Sequence, residues 1–124
     1  MLSIAVIAFG LLVGCSSVPK HYNMTGTWQY SFEETGKDGV QTGSMRITQD
    51  GYKLSGKCSD AFGEFNLSGS LTENSPKFMI AGKRNDYKRN FSLSGTLADD
   101  KFEGTYTTDQ NSSGTMKGSR ISAD

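Results

Sequence analysis

A thirteen-residue rhythm limits what this chain can fold into more than any other feature does. Tyr52-Lys-Leu-Ser-Gly56, Phe65-Asn-Leu-Ser-Gly69, Phe78-Met-Ile-Ala-Gly82 and Phe91-Ser-Leu-Ser-Gly95 start 13 residues apart each time. Within each unit apolar and polar residues alternate, which is the period of a half-buried strand. Gly and Ser at these positions also disfavour a helix interior. Extending the rhythm both ways predicts eight strands, near 25–33, 42–49, 52–59, 63–72, 77–84, 89–98, 101–108 and 114–122. Turn chemistry falls between them: Asp50-Gly51, Asn74-Ser75-Pro76, Asn85-Asp86, Asp99-Asp100 and Asn111 to Gly114. Every connection is too short for a parallel crossover, so the strands form an antiparallel meander.

The alternation sends one face inward. Trp28, Tyr30, Phe32, Met45, Ile47, Tyr52 and Leu54 belong to it, followed by Cys58, Phe65, Leu67, Leu71, Phe78 and Ile80. Phe91, Leu93, Leu97, Phe102, Tyr106 and Met116 complete it. No helical segment is available to cover such a face. Closure of the up-and-down meander into a small barrel buries it and removes the sheet edges. A sandwich of two four-stranded sheets is the alternative. Gly56, Gly69, Gly82 and Gly95 share the inward phase. They either let the strands coil tightly or leave room for a small ligand. In the second case Tyr30, Tyr52, Leu54, Phe65, Phe78, Phe91 and Tyr106 are the candidate lining.

The amino terminus is of another kind. Leu2 to Val13 is almost continuously apolar, too short for a membrane span of about 20 residues and suited to a secretory signal core. The run ends in Leu12-Val13-Gly14-Cys15-Ser16-Ser17, which resembles the bacterial lipobox. The resemblance implies cleavage after Gly14 and lipid attachment at Cys15. Met1-Leu2-Ser3 lacks the usual basic opening of a signal peptide. Ser16 resembles the sorting residue of outer-membrane lipoproteins, which places the protein in the envelope facing the periplasm. The organisation is thus 1–14 signal peptide, 15–23 lipidated Cys and tether, and 24–124 β-domain.

Gly26-Thr27-Trp28 opens the first strand, and Arg120 lies on the inward phase of the last with Met116 and Gly118. This pairing resembles the calycin barrels: lipocalins, fatty-acid-binding proteins and avidins. There a Gly-x-Trp opens strand one and an Arg of the closing strand packs over the Trp. The resemblance implies that Trp28 and Arg120 seal one barrel end by a cation–π contact and guanidinium hydrogen bonds. The domain has no room for the lipocalin helix. Trp28 is the only Trp, so an avidin-like biotin site is not supported.

Little in the sequence points to catalysis. His21 is the only histidine and sits in the tether, where no imidazole is held for a nucleophile or a metal. Cys58 reads as a buried, inert thiol. The carboxylates scatter over strand ends and turns, without a held pair. Lys plus Arg equals Asp plus Glu, so no global field attracts nucleic acid. Lys83, Arg84, Tyr87, Lys88 and Arg89 cluster on one hairpin as a candidate contact patch. These observations favour a non-enzymatic binding module without cofactor or metal, anchored to the membrane and holding a small apolar ligand. The alternative is a filled barrel that meets an envelope protein through its surface. Periplasmic lysozyme inhibitors are one such class, and Gly104-Thr-Tyr106 with Met116-Lys117-Gly118 faintly resembles their motifs. A connected apolar cavity above about 300 Å³ separates the two.

Overall fold

The computed structural model describes residues 22–61, 63–84 and 90–123. Within them the chain runs β1 (Gly26–Glu34), β2 (Gln41–Asp50), β3 (Lys53–Asp60), β4 (Gly63–Leu71), β5 (Lys77–Lys83), β6 (Phe91–Ala98), β7 (Lys101–Thr108) and β8 (Ser113–Ser122). Each strand pairs antiparallel with the next. β8 returns to β1 with Trp28 opposite Arg120 and Glu34 opposite Gly114, closing the barrel. The eight-stranded meander expected from the thirteen-residue rhythm is therefore present, and the two-sheet alternative is excluded. Cys15, His21, Tyr87, Lys88 and Arg89 lie outside the described residues.

The period-two face fills the interior. All but two of the side chains expected inward are buried, and Met24 joins them from just before β1. The exceptions have physical reasons. Tyr52 is 45% exposed: it shares the phase of Leu54 but sits in the β2–β3 turn, where the strand has ended and the phase no longer points to the axis. Phe91 is half-buried at the first residue of β6, on the barrel rim.

The inward glycines are close-packing sites. Phe78 lies opposite Gly95, Phe91 opposite Gly82, and Phe102 opposite Gly118. Each ring lies where the facing glycine's side chain would be; at Gly95 a Cβ would sit 2.6 Å from the Phe78 ring. At Gly56 and Gly69 the carbonyls of Arg46 and Met79 on the neighbouring strands take that place. Glycine thus lets the strands coil sharply and lets rings lie flat on the sheet. The room left by missing side chains is used by the protein itself.

Candidate functional site

The two ends of the barrel are built differently. At one end Trp28 is fully buried, 5.5 Å centroid to centroid from Phe102. Its Nε1 donates to Met24 O at 2.9 Å, which pins the chain just before β1 across the opening. The Arg120 guanidinium lies 4.6 Å from the centre of the Trp28 ring. Its nitrogens donate to Thr25 O, to Asn23 O at 2.7 Å and to Asp100 Oδ1 at 2.9 Å. The planar fork suits this task because it spreads three bonds over one ring face. Gln49, at the end of β2, completes the seal. Its Oε1 accepts from Met24 N at 2.9 Å, its Nε2 donates to Tyr22 O at 3.0 Å, and its own N–H donates to Thr25 Oγ1 at 3.0 Å.

At the other end the closure is made by rings. Phe65 and Phe91 meet edge-on at 5.3 Å, and Phe32 and Tyr106 at 5.8 Å. The Arg84 guanidinium carbon stands 5.6 Å from the Phe65 ring centre. Tyr30 Oη donates to Asp60 Oδ2 at 2.9 Å. Burial raises the Tyr30 phenol well above its ordinary range, and nearby Cys58 and Asp60 reinforce the shift. Burial likewise pushes the Cys58 thiol up to about 12, opposed by its hydrogen bond to Tyr30 and assisted by the Asp60 charge. Between Phe32, Phe65, Phe91, Tyr106 and Met116 lies a cavity of about 30 Å³, with Asp60 and Thr108 on its polar side. That is about one water's share of liquid volume, an order of magnitude below a pocket for a small organic ligand.

The residues expected to line a ligand site therefore do not converge. Phe65, Phe91 and Tyr106 surround the small cavity. Tyr30 lies buried beside it and holds Asp60. Leu54 and Phe78 are buried in the sealed half, and Tyr52 is outside. Of the expected hairpin patch, Lys83 is exposed while Arg84 is half-buried against Phe65 rather than extended into water.

Among the described residues a wide concavity lies on the outside. Gln29 pairs with Ser44 on one side and Ser119 on the other, and these continue to Ser59 and Lys101. A parallel row runs Thr42, Ser31, Lys117, Glu103. Together they floor an open groove of about 860 Å³. Its lining is mostly hydroxyl and amide, with Lys101, Lys117 and Glu103 at one flank.

Gln49 and Asp60 were not singled out from the sequence. Both are polar residues on the inward phase at a strand end, as Arg120 is, and that shared placement was the available signal.

No family model matches the sequence, and no curated protein matches it. Among solved structures the fold is similar to a redesigned β-barrel, mFAP1, bound to DFHBI, with a TM-score of 0.57 and 17% identity over 77% of this chain and 94% of that one. It is also similar to a de novo designed fluorescence-activating β-barrel, with a TM-score of 0.55 and 17% identity over 79% of this chain and 94% of that one. At this identity the likeness is one of fold.

Proposed function

We propose that this chain is a lipid-anchored, non-catalytic binding module of the bacterial cell envelope, working from the outside of a filled barrel. The observation that carries this is the interior itself, where the described core side chains pack around a ring-lined cavity of about 30 Å³. The anchor is supported by the apolar run that ends in Leu12-Val13-Gly14-Cys15, and an outer-membrane address facing the periplasm by Ser16. A non-catalytic role is supported by Cys58: a buried thiol with its pKa near 12 supplies no thiolate at neutral pH. The outer groove around Gln29 is the surface offered to an envelope protein. Short hydroxyl side chains there satisfy a partner's backbone or glycan groups with little loss of rotamer entropy.

The test is photo-crosslinking in cells from position 29 and, for comparison, from Ser70 on β4. A discrete envelope partner captured from position 29 and not from 70 is expected. Equal capture from both, or none from 29, contradicts a groove site. Intact mass of the membrane fraction, with and without Cys15→Ala, reports the anchor separately.

A second function is supported by the ring-lined end: a small apolar ligand held there, in a fold similar to that of mFAP1, whose structure is bound to DFHBI. Entry requires the half-buried Phe91 ring to swing outward. Phe91→Ala is then expected to create stoichiometric binding of an apolar fluorescent dye that wild type binds weakly. Tight stoichiometric binding by wild type would make this the primary function.

A further inference from the structure

The chain is neutral as a whole, yet its outer surface is lopsided. The outward positions of β2 to β5 carry five exposed cations, Arg46, Lys53, Lys57, Lys77 and Lys83, against two exposed carboxylates, Asp50 and Glu64. Strands β6, β7, β8 and β1 carry Lys101 and Lys117 against Glu33 and Glu103 on their outward positions. The first set is also aligned. Arg46 is the direct cross-strand partner of Lys57, Lys57 of Asn66, and Asn66 of Lys83. Side chains in such a register stand about 5 Å apart, and like charges directly opposite destabilise a sheet. Among the described residues none of the three takes part in an ion pair or side-chain hydrogen bond. The flanking positions Thr48, Ser55 and Ser68 are hydroxyls, and among the described residues Glu64, diagonal to Lys57 and Lys83, is the one carboxylate beside the row. On the same side two large apolar residues face water, Met79 at 61% and Tyr52 at 45% exposure.

The chain enters at the sealed end, between the edge of this face and β8, where Arg120 holds Asn23 O and Thr25 O. Gln49 on β2, three residues from Arg46, holds Tyr22 O, Met24 N and Thr25 Oγ1. Tyr22 is seven positions after Cys15, a reach of at most about 25 Å at about 3.5 Å per step. An anchor at Cys15 therefore keeps the sealed end of the barrel, where the β2–β5 face begins, within reach of the bilayer surface.

We propose that the β2–β5 face docks on anionic phospholipid headgroups. Arg46, Lys57 and Lys83 meet the phosphates, and Met79 and Tyr52 touch the interfacial region. The anionic surface relieves the repulsion that the unpaired row leaves in the free protein. This rests on the lipid-anchor reading for its biological setting, and it orients the barrel so that the β8–β1 part of the outer groove is turned toward a partner.

The core and all eight strands lie between Met24 and Ser122, so a chain beginning at Ser16 contains the whole fold and no lipid. That chain is mixed with vesicles of phosphatidylcholine alone and vesicles containing about 30% phosphatidylglycerol, a composition that sets an anionic surface potential. Binding measured by co-sedimentation is expected for the anionic vesicles only. It is expected to be lost in about 0.5 M NaCl, where the Debye length is only a few ångströms. The triple substitution Arg46→Gln, Lys57→Gln, Lys83→Gln is expected to weaken it at least about tenfold. The control Lys101→Gln, Lys117→Gln on the other side is expected to change it less than about twofold, and circular dichroism verifies that both variants fold. No binding to anionic vesicles, equal binding to neutral ones, or an equal loss in the control overturns the proposal. A face meant for an acidic protein gives the first of these outcomes. Because the assay uses an unlipidated chain, its failure is separate from a failure of the Cys15 anchor, which intact mass reports.

Discussion

The sealed end and the ring-lined end solve the same problem with different chemistry. At the sealed end a buried indole is covered by a guanidinium whose bonds run to backbone carbonyls and to Asp100. Gln49 then ties the incoming chain to β2. At the ring-lined end two edge-on ring pairs, one cation–π contact and the Tyr30–Asp60 bond close the opening. Directional bonds to backbone hold one geometry. Edge-on rings at a rim hold volume but adjust more readily. The first end is thus a fixed cap beside the tether, and the second is where the barrel can yield.

The largest expected effect sharpens that contrast. Trp28→Ala removes a fully buried ring that no neighbour can replace and is expected to cost about 3–5 kcal/mol, measured by urea denaturation. Arg120→Ala follows, at about 2–3 kcal/mol, because it leaves the Thr25 and Asn23 carbonyls and the Trp28 face without their charged donor. Arg120→Lys is expected to recover less than half, since an ammonium lacks the planar fork. A full rescue would show that charge alone, not geometry, holds that end.

Two glycine substitutions probe how each end yields. At Gly95 a new Cβ meets both the buried Phe78 ring and the Glu103 carbonyl, at 2.6 and 2.9 Å. At Gly82 its three nearest atoms all belong to the half-buried Phe91 ring. Gly95→Ala is expected to cost about 2–3 kcal/mol and Gly82→Ala about 1 kcal/mol, because the rim ring can turn away. Equal costs would remove the distinction between a rigid half and a yielding one.

The smallest effect is on pH dependence. The Cys58 thiol rises from 9.0 to about 12 on folding, so the folded state keeps the proton that the unfolded chain gives up. Stability linked to it is whole below about pH 9 and is lost as pH rises toward about 12. Tyr30 is shifted in the same direction. Cys58→Val is expected to flatten the decline between about pH 9 and about pH 11 in urea midpoints. An unchanged slope would mean that Tyr30 or a general loosening sets it.

How legible this was differs between fold and site. The rhythm of Tyr52, Phe65, Phe78 and Phe91 located the strands, because a period of two together with turn residues is a local property of sequence. Tyr52 departed from it because phase alone does not say where a strand stops. The closed register of β1 on β8 is non-local, and Gly26-Thr27-Trp28 with Arg120 was its only trace. Whether the barrel is hollow was not legible. Four inward glycines read as points of tight strand coiling or as room for a ligand, and only cross-strand register decides which ring lies over which glycine. The basic row escaped notice for the same reason, since Arg46, Lys57 and Lys83 are distant in sequence and aligned only by pairing.

The central claim is that the barrel is filled by its own side chains and acts from outside. Native mass spectrometry of the protein, extracted in mild detergent from the cells that make it, tests it most directly. The expected mass is that of the polypeptide, with the proposed lipid at Cys15, and nothing else retained. A stoichiometric apolar molecule that stays bound until the barrel unfolds would contradict it.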